Sequence, residues 1–106
     1  GVTHYTRMAG VELGPHQIRV NSISPGAIAT PIFYGGSQRA NDLTNEENER
    51  KMEKLKGNLA NAVPLKRSGL ASDIAEAALY LSSDAGSFVT CQDIVVDGGR
   101  TAMFNE

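Results

Sequence analysis

The residues best placed to do chemistry stand between positions 24 and 30. Ser24-Pro25-Gly26 breaks off a run in which apolar and polar residues alternate, and Ile28 and Thr30 follow. Pro sets its own φ and Gly accepts conformations that other residues avoid, so the pair specifies a sharp turn. A turn at the carboxyl end of a strand presents backbone N–H and C=O groups, here with one hydroxyl, and ligands of open α/β sheets bind at such ends. Orientation of a ligand by a few fixed hydrogen bonds is the chemistry that fits. The plain alternative is a turn that only ends a strand.

The other reactive side chains are less well placed. His4 and His16 have no carboxylates or thiols at converging spacing, so a solvated helix position and a turn position describe them better than ligand or base. Cys91 is the single cysteine; it has no disulfide partner and no second thiol at metal-ligand spacing, and it reads as a small buried side chain. No metal site is expected. The charged run over 46–56 reads as a solvated helix face. Phe33 and Tyr34, just before Gly35-Gly36, either line an apolar substrate pocket under a lid or seat the lid helix.

These residues need elements to hold them. Val2, Tyr5, Met8, Ala9 and Leu13 recur at spacings of three and four and predict a helix over 1–13 with that face buried. Gly14-Pro15 is expected to stop it, with Gly in the left-handed position. A strand is predicted over 18–24 and a second over 93–96, the latter β-branched and apolar on both faces, as in a covered parallel sheet. Between them, Thr44 and Glu47 stand at capping-box spacing before a helix with a thin apolar stripe of Met52, Leu55 and Leu59. Ser72 is expected to cap a further helix over 73–82 that buries Ile74, Ala77, Ala78 and Leu81. Strand, helical crossover and strand make a parallel pair. Two such strands cannot close a doubly wound core, so the fold class expected is α/β and incomplete as given.

Composition excludes several classes of partner. At 106 residues, 41% hydrophobic and 21% charged, the chain matches one small globular domain rather than a disordered or fibrous one. A net charge of −2 with Lys and Arg interspersed among Asp and Glu gives no basic face for nucleic acid. No apolar run approaches the ~18 residues of a membrane span. The lone Cys fits a reducing, cytoplasmic setting.

Taken in order, the blocks Glu12-Leu13-Gly14, Ile18-Arg19-Val20-Asn21, Ser24-Pro25-Gly26, Ile28, Thr30, Val63-Pro64-Leu65, Asp73-Ile74-Ala75, Phe88-Val89-Thr90 and Val96-Asp97-Gly98-Gly99 resemble the C-terminal portion of a short-chain dehydrogenase/reductase. The resemblance implies that 1–106 is the last part of a single Rossmann-type domain, comprising its last two strands and crossover helices, with a substrate lid over about 31–62. It implies NAD or NADP as cofactor and an alcohol or ketone as substrate. The nicotinamide carboxamide would be held by backbone groups of Ile28 and the Thr30 hydroxyl, with Pro25 and Gly26 shaping the turn. It places the catalytic Ser and the Tyr-x-x-x-Lys pair upstream of Gly1, so no catalytic residue is assigned here and this segment alone is expected to be inactive. A homodimer or homotetramer is implied for the parent. The alternative is a non-catalytic dimerisation module of the same fold. Two departures stand out: Cys91 and Lys66 occupy positions where the family usually carries Gly.

Overall fold

The computed structural model describes residues 1–30, Gly36 and 41–104, so Phe33 and Tyr34 and part of the expected lid lie outside the described residues. The chain divides into two compact units. One comprises Gly1–Pro25 with Ser72–Val96, the other Gly26–Ala71 with Asp97–Glu106.

In the first unit, helix α1 (Val2–Leu13) precedes strand β1 (Ser22–Pro25), and helix α3 (Ala71–Ser82) precedes strand β2 (Asp93–Val96). The strands pair in parallel with Ser22 opposite Asp93 and Pro25 opposite Val96. Ile23, Ile94 and Val96 therefore share one face, and Ser22, Ser24, Asp93 and Val95 the other. On that second face Asp93 ties the strands together: Oδ1 accepts from Ser22 Oγ and Ser24 Oγ, both at 2.8 Å.

β1 is shorter than the alternation over 18–24 predicts. Residues 18–21 are fastened to 89–92 by a mixture of backbone and side-chain bonds instead of a ladder. Val20 N–H donates to Thr90 Oγ1 at 3.1 Å, Cys91 N–H to Val20 O at 2.8 Å, and Asn21 Nδ2 to Val89 O at 2.9 Å. Cys91 has φ +65°, and a left-handed residue on one side breaks a regular ladder. Arg19 reaches the end of α3, where Nη1 donates to Leu81 O at 2.6 Å, a favourable place for a cation. The Ile-Arg-Val-Asn block is thus scaffold.

Further expectations for this unit are corrected. Of the predicted face of α1, Ala9 and Leu13 are half-buried, but Val2, Tyr5 and Met8 are exposed and the fully buried residues are Thr6 and Gly10. Gly10 wins because a Cβ there would sit 2.5 Å from Cys91 Sγ, so lack of a side chain brings the helix against the 89–92 segment. Nor does Gly14 turn left-handed: its φ is −52°, the helix tightens into a 3-10 turn (Gly14–His16) with Pro15 near its start, and Gln17 takes φ +62°. α3 begins at Ala71, which puts Ser72 inside the first turn instead of before it. Of its predicted face, Leu81 is buried, Ile74 and Ala77 are half-buried and Ala78 is exposed.

The second unit contains helix α2 (Asn45–Asn61). Thr44 caps it as expected, its Oγ1 accepting from Glu47 N–H at 3.1 Å, a bond worth about 1 kcal/mol. Met52, Leu55 and Leu59 are only half-buried and no residue of α2 is fully buried. Among the described residues, the buried side chains of this unit lie in its loops: Val63 at 1% exposure, Ala29, Ser68 and Asp97.

Candidate functional site

Pro25 ends β1 and is exposed, and the chain enters the second unit at Gly26. Ala27 follows in the left-handed conformation, φ +57°, which turns the backbone sharply. The next residues meet Gly69 in an isolated parallel bridge: Gly69 N–H donates to Ala27 O and Ala29 N–H to Gly69 O, both at 2.9 Å. In such a bridge the residues on either side of Ile28 bond the partner, so Ile28's own N–H and C=O face the opposite edge. Among the described residues neither group has a backbone partner. A donor and an acceptor lie side by side on that edge. Thr30 is half-buried two positions on, at the same alternation as Ile28.

Gly69 permits this approach. A Cβ there would collide with Ile28 Cδ1 and lie 3.2 Å from Ala27 O. The start of the loop has a second support. A Cβ on Gly26 would sit 2.9 Å from Asp97 Cβ, so the turn rests on the Asp97 side chain. Asp97 is itself buried, with Oδ1 accepting from Gly99 N–H at 2.9 Å and Oδ2 from Thr101 N–H at 2.7 Å. Hydrogen bonds from the Thr101 side chain and from the Thr101 and Gly99 N–H groups hold its carboxyl below the usual range, against the opposing effect of burial. It is therefore ionised at neutral pH.

The same turn braces the end of α2. Leu65 N–H donates to Gly98 O at 3.3 Å, and Arg100 Nη1 donates to Ala62 O, at the helix C-terminus, at 2.7 Å. The Arg100 guanidinium also lies 4.9 Å from the centroid of the Phe104 ring. Gly98 and Gly99 have φ +64° and +95°, and a Cβ on Gly99 would be 2.9 Å from Pro64 Cγ. Gly69 and Asp97 were not singled out by the sequence for the support they give. Asp97 followed by Gly99 and Thr101 has the spacing of a carboxylate that closes its own turn, which is the signal for it; nothing in the sequence marks Gly69 as a bridge partner.

Among the described residues no group of three His, Cys, Asp or Glu side chains could hold a metal ion, and no helix is long and apolar enough to cross a membrane. A family model described as enoyl-(acyl carrier protein) reductase matches residues 1–101. An uncharacterised oxidoreductase of Mycobacterium tuberculosis is 42% identical over 100 residues, covering 94% of this chain and 33% of the relative. The chain belongs to the short-chain dehydrogenase/reductase family. A crystal structure of a short-chain type dehydrogenase/reductase from Mycobacterium marinum superposes with a TM-score of 0.64 at 38% identity, over 94% of this chain and 33% of that one. The NADPH-dependent reductase YwfH, involved in bacilysin biosynthesis, gives a TM-score of 0.67 at 32% identity, over 92% of this chain and 35% of YwfH. The chain spans about a third of the length of the short-chain dehydrogenases it matches, and its α/β fold with a parallel strand pair is that of an incomplete Rossmann sheet. Cys91 and Lys66 both take left-handed φ, +65° and +57°.

Proposed function

We propose that this chain is the segment of an NAD(P)-dependent short-chain oxidoreductase that holds the nicotinamide carboxamide. The observation that carries the reading is the backbone edge of Ile28. A primary carboxamide offers one acceptor and two donors in a plane, and a neighbouring N–H and C=O facing one way complement it. The Thr30 hydroxyl adds a third bond, and Pro25 and Gly26 set the turn that delivers both. Bound there, the cofactor supplies or accepts the hydride that interconverts an alcohol and a ketone. The residues of this chain bind and orient; proton transfer falls to a Ser, Tyr and Lys upstream of Gly1. In this reading residues 1–106 are the last part of one Rossmann domain, 31–62 form a lid over the substrate, and the whole protein is a homo-oligomer. YwfH's use of NADPH supports a nicotinamide cofactor without choosing between NAD and NADP for this chain.

The test is Thr30→Val in the intact protein. The substitution keeps shape and β-branching while deleting the hydroxyl. Leaving a buried amide group unsatisfied costs about 1–3 kcal/mol, so kcat/KM should fall on the order of 10- to 100-fold at nearly constant melting temperature. Thr3→Val on α1 is the control. Kinetic constants within twofold of wild type would remove Thr30 from the site. The exposed Val2, Tyr5, Met8 and Val11 of α1 would then favour the second reading, a dimerisation module without catalysis.

A further inference from the structure

The loop 26–30 is held at two points, and the two differ in kind. Over 27–29 the Gly69 bridge supplies backbone hydrogen bonds. At Gly26 the support is a side chain, because the nearest heavy atoms to a Cβ built there are Asp97 Cβ at 2.9 Å and Asp97 Cα at 3.9 Å. That Cβ moves only with the Asp97 backbone, and what fixes the backbone is the 97–101 turn that the carboxylate closes. Each carboxylate oxygen holds a different backbone N–H of the 97–101 turn, and only 8% of the residue is exposed. A side chain at Gly26 would not fit beside Asp97, and the Asp97 backbone cannot shift without straining the bonds to Gly99 and Thr101.

We propose that Asp97 is a positioning residue for the carboxamide loop, setting through Gly26 the geometry in which Ile28 and Thr30 meet the nicotinamide. Asp97 places the start of the loop, and the Gly69 bridge carries that placement to Ile28. The proposal rests on the nicotinamide reading for its kinetic consequence but not for its structural one. Displacement of reacting groups by about 1 Å costs up to 100-fold in rate, so a small drift at Gly26 is enough to matter.

The experiment compares Asp97→Ala, Asp97→Asn and Thr30→Val in the intact protein. Asp97→Asn keeps one acceptor oxygen and serves if the alanine variant does not fold. Amide hydrogen exchange is followed in the cofactor-free protein, kcat and KM are measured with cofactor, and NADH and NADPH affinities are titrated by fluorescence. In Asp97→Ala, exchange at 27–29 should accelerate on the order of tenfold while the β2 amides keep their wild-type rates, since local opening is independent of the global reaction. kcat should fall on the order of tenfold with cofactor affinity changed less, and Asp97→Asn should recover part of both effects. Unchanged exchange at 27–29, or acceleration shared equally with β2, would overturn the proposal by reducing Asp97 to ordinary stability. If Asp97→Ala loosens the loop while Thr30→Val is kinetically silent, the positioning role stands and the nicotinamide reading falls. If Thr30→Val is damaging and Asp97→Ala changes neither exchange nor kcat, the reverse holds.

Discussion

The two units of this molecule bring backbone close to backbone in different ways. In the first, Gly86 meets main chain. A Cβ on Gly86 would lie 2.5 Å from Tyr80 O and 3.1 Å from Leu81 Cα and O, and one on Gly10 would meet Cys91 N and Cα at 3.3 Å as well as its sulfur. In the second, glycines mostly meet side chains: Gly26 meets Asp97 Cβ, Gly98 meets Val63, Gly99 meets Pro64, and Gly69 meets the tip of Ile28. A main-chain neighbour held by hydrogen bonds has nowhere to go, whereas a side-chain tip can change rotamer for about a kcal/mol. The Gly86 contact is therefore the rigid one, and the contact of Gly69 with the Ile28 tip the adjustable one.

The sharpest way to break that comparison is to add the same methyl group to both. Gly86→Ala should destabilise the intact protein by about 3 kcal/mol, at the upper end of overpacking costs, because carbonyls of α3 would have to shift. Gly69→Ala should cost about 1 kcal/mol, taken up by Ile28. Urea denaturation measures both, and equal losses would show that the distinction has no energetic content.

A second test asks whether Gly10 is held by a backbone or by a thiol. Gly10→Ala should cost about 2 kcal/mol alone, and most of that should return in combination with Cys91→Gly, since the 2.5 Å conflict is with Sγ and the remaining approaches at 3.3 Å need only a small adjustment. Additive effects in the double-mutant cycle would mean that the main chain of the 89–92 segment sets the limit.

The smallest effect has the opposite sign. Lys66 is exposed with φ +57°, a conformation that costs a residue with a Cβ roughly 1–2 kcal/mol, and glycine's greater freedom in the unfolded chain takes back about half. Lys66→Gly should stabilise by about 0.5–1 kcal/mol. Cys91→Gly, at φ +65°, should gain less than this, because it also removes the sulfur packed on Gly10. A larger gain at Cys91 than at Lys66 would show the Cys91–Gly10 contact to be strained rather than supportive.

What the sequence conveyed about the fold follows from how local each signal is. β2 occupies 93–96 as its β-branched run predicts, and Thr44 caps α2, because a short apolar run and a cap are decided within a few residues. The start of β1 was not legible: alternation over 18–21 is real, yet whether it becomes a ladder depends on the left-handed Cys91 about 70 positions away. The inward face of α1 was misread for a similar reason. Apolar periodicity marks Val2, Tyr5, Met8, Ala9 and Leu13; the last two are half-buried, but the closest approach to the partner admits only a small residue, and Gly10 is what fits. Of the candidate site, Pro25, Gly26, Ile28 and Thr30 are proposed from a local turn signature and a family resemblance. The bridge to Gly69 and the Asp97 support were invisible because each joins residues separated by about 40 to 70 positions.

The bond between Ser22 and Asp93 spans 71 positions at 2.8 Å. Closing so long a loop is entropically expensive once, but the expense grows only logarithmically, and doubling the intervening length would add about 0.6 kcal/mol. The polar clasp between the strands is thus nearly indifferent to how much chain is strung between them. A change in the length of that intervening chain therefore costs the clasp little.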